Sequence, residues 1–299
     1  MQLGSTWIDD TYAEAFRLRY ARLIVTAADD YWLAAATRAV TGYACSIIAC
    51  DAEAGPERRL PADQSPDGRP AVALLFFGFS TAALGAALVK RAGQCLMTCP
   101  STAVYDGLPE SAERIPLGQM LRFFGDGFQK SKQIASTRYW RIPVMDGEFL
   151  CVESVGVEKG IGGGNIIIQA DQQATVLAAV RQAVQAVAEL PGVITPFPGG
   201  AARSGSKVGS RYQKLRASTA EAFCPTLRGR VASRLHPAAN HACEIVFDGV
   251  DETSVGRAMA TALRAGALPD VVALSAGNYG GNLGKFHFHL RQLLAEYHP

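Results

Sequence analysis

Apolar and polar positions along the chain fall into a recurring order of short apolar runs and longer amphipathic stretches. Residues 22–28 (RLIVTAA) form an apolar run of strand length. Asp29 or Asp30 then caps a helix that reaches about Val40. Thr41-Gly42 ends it, and residues 44–50 (ACSIIAC) read as a second strand. The order returns as strand 71–77, helix 81–92 and strand 94–98. It returns again as strand 165–170, helix 172–190 and strand 193–196, and once more as strand 242–247, helix 252–265 and strand 271–275. Four strand–helix–strand units in two pairs predict an α+β chain of two ferredoxin-like, split-βαβ sandwich lobes with inserted loops. A doubly wound sheet would alternate strand and helix without paired breaks. The break falls at Gly147-Glu148, before a fresh apolar run, EFLCVES, and divides the chain into lobes 1–147 and 148–299. The inserts, 52–70, 100–147 and 199–240, are rich in Gly, Pro, Ser and Arg. Long connections of this kind are usually functional or interfacial.

One stretch has the length of a membrane span. Residues 71–89 hold 19 consecutive uncharged positions, against about 20 needed to cross a bilayer. The run changes character at Gly78-Phe79-Ser80. Before that point it reads as a buried strand, and after it Ser80 or Thr81 can cap a short Ala/Leu helix. The reading is a soluble strand–helix pair.

Composition narrows the class. Apolar residues make up 48% and charged residues 19%, so a sizeable core forms and disorder is excluded. A net charge of +2 is too balanced for a protein that lives on nucleic-acid phosphates. The N-terminus, MQLGSTWIDDTYAEAF, lacks the basic-then-apolar order of a secretory signal. Seven cysteines stand at spacings that match no CxxC zinc framework. They read as small buried thiols, and the expected location is the cytoplasm.

Of 30 glycines, 18 lie in residues 151–299, and most of those fall in three clusters. These are 160–164, 199–209 and 277–284. Glycine serves where φ must be positive or a backbone must approach a ligand. None of the clusters is a known nucleotide motif. Residues 160–164 do not follow a strand and open a helix, and residues 200–207 read GxxxxGSK with the lysine one place late for a phosphate loop. No GxSxG elbow is present. His287 and His289 alternate with Phe286 and Phe288, which puts both on one strand face, where a packed or interfacial pair is expected over a metal pair, for which no third ligand is signalled. Glu244 sits inside the apolar run CEIVF. Alternation either puts it on a wet face or buries it, and in the second case desolvation makes it a proton donor or acceptor near neutrality.

At these loops the chain resembles the formylmethanofuran:tetrahydromethanopterin formyltransferase family, in the version found in C1-oxidising bacteria. The stretches that carry the likeness include DTYAEAF at 10–16, CDAEAG at 50–55, PDGRP at 66–70, FFGDGFQ at 123–129, PFPGG at 196–200, GSKVGS at 205–210, EIV at 244–246 and SAGNYGG at 275–281. They run over nearly the whole chain, and the PFPGG…GSKVGS and SAGNYGG stretches are the most specific. The resemblance implies two ferredoxin-like lobes and a homotetramer with its site in a cleft between subunits. It implies hydrolase subunits as partners in a formyltransferase/hydrolase complex, and no metal or redox cofactor. The substrates it implies are tetrahydromethanopterin, or its dephospho form, and a methanofuran-type carrier, in the oxidation of formaldehyde to formate. Archaeal relatives are strongly acidic, whereas this chain balances 27 acids with 29 bases. The alternative is a scaffold subunit that positions the hydrolase subunits with little catalysis of its own.

Formyl transfer between two nitrogens needs both carriers held together, donors for the oxyanion and a group that manages protons. Glu244 is the expected catalytic acid. No nucleophile motif is present, so direct transfer in a ternary complex is expected rather than a formyl-enzyme. The expected substrate contacts are Phe124, Asp126, Gly163, Gly164, Asn165, Pro198, Gly199, Gly200, Ser206, Lys207, Ser210, Asn278, Tyr279 and Gly280. Glycine loops supply backbone N–H donors, Lys207 and Arg203 meet carboxylates on the carrier tails, and Phe124, Phe128 and Tyr279 stack on the rings. Asp126 hydrogen-bonds the pterin edge.

Overall fold

The computed structural model describes residues 1–297. The chain forms two compact units, one of residues 1–17 and 161 onward, the other Leu18–Gly160. In chain order, β1 (Gln2–Leu3) and β2 (Thr6–Ile8) make a short hairpin, and β3 (Tyr12–Thr26) begins in the first unit and ends in the second.

In the second unit β3 is followed by α1 (Asp30–Thr41), β4 (Glu53–Leu60), β5 (Ala71–Gly78), α2 (Thr81–Arg91) and β6 (Ala103–Asp106). β5 and β6 flank β3, and β4 pairs outside β5, all antiparallel. The order β4-β5-β3-β6 is that of a ferredoxin-like split βαβ. Then come β7 (Glu113–Ile115), α3 (Leu117–Leu121) and a meander of β8 (Lys130–Ile134), β9 (Thr137–Val144) and β10 (Gly147–Val152). β10 joins β6 in parallel. The strand period sorts the faces. Leu23 and Val25 pack with Leu33, Ala36, Leu84 and Leu88 under the two helices, while Ile24 joins Tyr105 in a separate cluster. Asp29 caps α1 through the N–H groups of Tyr31 and Trp32, and Ser80 caps α2 through that of Ala83. Such caps are worth about 1 kcal/mol each. The uncharged run 71–89 is divided as expected into β5 and α2, and no helix among the described residues is long and apolar enough to cross a membrane.

Two expected strands are not strands. Residues 44–50 form turns ahead of β4, with Ala44 and Ile47 buried. Residues 94–98 continue from α2 through a π-helical turn, Ala92–Leu96. The pairing strands stand further along, as β4 and β6. A short apolar run buries equally well as a turn or as a strand, and periodicity does not separate the two.

β11 (Val155–Ala170) returns the chain to the first unit at Ile161. There follow α4 (Gln173–Ala188), β12 (Val193–Ile194), β13 (Ser206–Val208), β14 (Ala217–Thr219), β15 (His241–Gly249), α5 (Glu252–Gly266), β16 (Val271–Ser275), β17 (Phe286–His289) and α6 (Leu290–Glu296). β15 and β16 flank β11, and β12 pairs outside β15. This repeats the order of the second unit, with β2 and β1 added beyond β16. Ile166, Ile168, Ile245 and Phe247 pack with Val176, Val180, Val255 and Met259 of α4 and α5. Alternation leaves Ile167, Gln169, Glu244 and Ser275 on the opposite face.

The break expected at 147/148 falls at the β9–β10 hairpin, where Gly147 pairs with Val144. The chain passes between compact units elsewhere, inside β3 and inside β11.

Candidate active site

Glu244 owes its position to the period of β15. Ile245 and Phe247 point into the core, so Glu244 points away from it, opposite Ile167 of β11. The insert that follows β12 closes over this face. Ala202 pairs with Glu244, its N–H donating to the Glu244 carbonyl at 2.8 Å and its carbonyl accepting the Glu244 N–H at 3.0 Å. Gln169 Oε1 accepts the N–H of His236, further along the insert, at 2.8 Å. The result is a cavity of about 180 Å³ walled by Glu244, Arg203, Lys207, Phe223, Arg234, Asn278 and Tyr279, among others. Glu244 is half-buried at its base, and burial pushes its pKa up to about 7. No hydrogen bond or ion pair to its carboxyl group is found among the described residues.

The rim opposite Glu244 is the loop after β16. Asn165, 6% exposed, latches its start: Oδ1 accepts the Gly277 N–H at 2.7 Å and Nδ2 donates to the Gly277 carbonyl at 3.1 Å. Asn278 Nδ2 donates to Thr11 Oγ1 at 2.9 Å and to the Tyr12 carbonyl at 3.2 Å. Burial, then the negative charges of Glu244 and Glu14, push the Tyr279 pKa up to about 12, so its phenol stays protonated. Glu14 is buried against the same loop and accepts its backbone N–H groups. Sequence reading missed it, because its partners lie 265 to 269 residues away and no local pattern joins them.

The expected contacts divide by location. Glu244, Lys207, Asn278 and Tyr279 meet at the cavity. Lys207 is already ion-paired with Glu221, which holds the Glu221 carboxyl below its usual range. Arg234, stacked over the Phe223 ring at 5.2 Å, is a cation of the cavity that sequence reading did not single out. Ser210 lines a neighbouring cavity of about 300 Å³ with Lys207, Arg211 and Arg230, and its Oγ accepts the Tyr212 N–H. Ser206 lies in β13, and its side chain is outside the described residues. Pro198 and Gly199 are exposed, and Gly199 and Gly200 turn the chain at φ +63° and +77° toward Ala202. Gly280 is exposed, at φ +71°.

The cluster 160–164 is not a loop. It lies within β11 and contains a bulge between Ile161 and Gly164. Gly163, at φ +91°, lies against Phe16 and donates its N–H to Asp248 Oδ1 at 3.1 Å, and Gly164 lies against Val255. Close packing between backbone and side chains explains these glycines.

Phe124 and Asp126 belong to the second unit. Phe124 is 67% exposed and lines a cavity with residues 97–100 and 143–146, and Asp126 takes a left-handed conformation at φ +50°. In the PDGRP stretch, Asp67 accepts from Thr26, Tyr105 and Arg69. His287 and His289 are exposed and pack on the Tyr12 ring at 4.9 and 5.0 Å. No group of three metal-ligating side chains is found among the described residues.

The chain matches two family models, formylmethanofuran-tetrahydromethanopterin formyltransferase over residues 1–144 and the proximal lobe of the same family over residues 147–293. It is 50% identical to a formylmethanofuran–tetrahydromethanopterin formyltransferase from Methylococcus capsulatus, over 99% of this chain and all of that one. It is 47% identical to a protein of Methylorubrum extorquens named as one subunit of a formyltransferase/hydrolase complex, over 98% of this chain and 97% of that one. Among solved structures it superposes, with a TM-score of 0.95 and 45% identity over 98% of each chain, on the formyltransferase/hydrolase complex from Methylorubrum extorquens in complex with methylofuran. With the same fold, and this likeness from end to end, the chain belongs to the formylmethanofuran–tetrahydromethanopterin formyltransferase family.

Proposed function

We propose that this chain is an N-formyltransferase that moves a formyl group between N5 of tetrahydromethanopterin, or its dephospho form, and the amine of methanofuran or a related furan carrier. The observation that carries the reading is the Glu244 carboxyl group, held at a pKa of about 7 in a walled cavity of a chain of this family. The acceptor amine attacks the formyl carbon; its lone pair forms the new C–N bond and the carbonyl π pair moves to oxygen. Neutral Glu244 donates to that oxyanion, and the protonated Tyr279 phenol is a second donor at the same cavity. Collapse expels the donor nitrogen, which takes a proton as the attacking nitrogen loses one.

Direct transfer in a ternary complex fits Cys243 of the cavity. Burial pushes the Cys243 thiol up, away from the nucleophilic thiolate. Arg203, Arg234 and Lys207 face the anionic groups of the carriers, and Phe124 offers an exposed ring for stacking. Asp126, Gly163, Gly164, Asn165, Pro198, Gly199, Gly200, Ser206, Ser210, Asn278 and Gly280 complete the proposed contact set. Gly163, Gly164 and Asn165 act in it through the loop and strand they hold. The cellular setting is cytoplasmic C1 oxidation, as a homotetramer with hydrolase subunits. The Methylorubrum extorquens relative, named as part of a formyltransferase/hydrolase complex, supports that partner.

An absorbance assay of the isolated chain with tetrahydromethanopterin and formyl-methanofuran tests the activity. Replacing the acid, Glu244→Gln, is expected to lower kcat by about 10²- to 10³-fold. Full turnover with an unchanged pH profile removes Glu244 from the chemistry. A gain of one formyl mass on protein incubated with donor alone overturns direct transfer.

A further inference from the structure

We infer that Glu14 is a positioning residue of this site: its carboxylate holds the loop after β16 so that Tyr279 stands at Glu244. The inference rests on the role proposed for Glu244. Glu14 lies on β3 and is 1% exposed. Its Oε1 accepts the N–H groups of Tyr279 and Gly281, each at 2.6 Å, and its Oε2 accepts that of Leu283 at 2.8 Å. Three donors within five residues converge on one carboxylate. A concave run of backbone N–H groups is an anion-binding nest, here filled by the protein's own side chain. Gly280 and Gly281, at φ +71° and +78°, take the left-handed conformations that turn those groups inward. Burial alone raises the pKa of Glu14, but the backbone hydrogen bonds outweigh it and hold the group below its usual range. The anchor therefore carries its charge at neutral pH.

The loop is also held at both ends by other contacts. Asn165 holds Gly277, Thr11 and Tyr12 hold Asn278, and Gly284 lies so close to the Ala15 carbonyl that a Cβ there would stand 2.0 Å from it. The middle, residues 279–283, carries the N–H groups that Glu14 accepts. Loss of its charge therefore displaces Tyr279 while both ends of the loop stay attached. A glutamine is the same size but turns an NH2 toward the Leu283 or Gly281 N–H, donor against donor.

The test uses the full chain with Glu14→Gln, Glu14→Asp and Glu244→Gln. Misplacement of Tyr279 in Glu14→Gln is expected to lower kcat about 10- to 100-fold. It also admits water around Glu244, so the high-pH limb of kcat moves toward acid. The other ionisable groups lining the cavity, Arg203, Lys207, Glu221, Cys224, Arg234 and Cys243, are unaltered, as is His287, opposite Glu14 on β17. Glu14→Asp, which keeps the charge on a shorter arm, is expected to restore part of kcat. A folded Glu14→Gln with lowered Tm but unchanged kcat and pH limb overturns the inference. If Glu14→Gln does not fold, an unchanged kcat and limb in Glu14→Asp overturns it equally. Full turnover in Glu244→Gln instead defeats the proposed role of Glu244, a separate outcome.

Discussion

A glutamate that titrates near neutrality makes pH act on this protein in two ways. Glu244 is a neutral acid below about pH 7 and a carboxylate above it. A donor to an oxyanion is needed in its neutral form, so kcat is expected to fall as pH rises through about 7, read from initial rates between pH 5.5 and 8.5. The effect on stability has the same sign. The folded group holds a proton up to about pH 7, whereas the ordinary value is 4.5, so the folded state binds more protons between the two. Unfolding free energy therefore declines across that window and is flat above it, by on the order of 3 kcal/mol from this one residue before solvent screening, and by less after it. Urea unfolding of the protein and of Glu244→Gln at pH 5 and pH 8 measures it: the variant should lack this share of the decline. Glu14 works the other way. Its lowered pKa gives stability that is present above 4.5 and lost as pH falls below it.

Between elements, contact distances decide what a side chain does. A Cβ on Gly164 would stand 2.6 Å from Val255 Cγ1, so Gly164→Ala overpacks the contact of β11 with α5 and is expected to cost about 1–3 kcal/mol. Gly209, at φ +87°, has open space around it, so Gly209→Ala meets only the left-handed backbone penalty, about 1–2 kcal/mol. Guanidinium unfolding midpoints check both, with Gly164→Ala expected lower. Elements buried on a regular period were legible in the sequence: α4, α5, β5 and β16 stand where the pattern puts them, within two residues. β4 was not, because EAGPERRL is an edge strand with a proline and an irregular register at Pro56, which are devices that keep edges from pairing and erase apolar alternation. The site divides in the same way. Glu244 was legible as an acid inside an apolar strand, and Tyr279 within a glycine loop. Glu14 and Arg234 were not, since Glu14 meets loop N–H groups 265 to 269 residues away and Arg234 donates to Thr11 Oγ1 and to the Ala276 carbonyl.

For the whole molecule, the two ways of dividing the chain make different physical claims. The family models meet at residues 144 and 147, while the compact units exchange inside β3 and β11. The first unit therefore needs residues 1–17, which supply β1, β2, Thr11, Tyr12 and Glu14. Within it, Ile8 and Ala15 are fully buried in the core with Leu274 and Phe288. A chain of residues 148–299 alone loses that apolar contact, the strand that pairs with β17 and the acceptor of three loop N–H groups. Ile8 alone is worth about 2–5 kcal/mol on the scale of buried large-to-small replacements, a large part of the stability of a single domain. The expectation is that residues 148–299 unfold without a cooperative transition, or fold with the loop after β16 released. Circular dichroism melts distinguish these two forms, and amide hydrogen exchange at Tyr279, Gly281 and Leu283 should be fast in the fragment and slow in the full chain. Slow exchange at all three in the fragment would mean that the loop holds its shape without β3. The positioning role of Glu14 would then fail together with this division of the molecule.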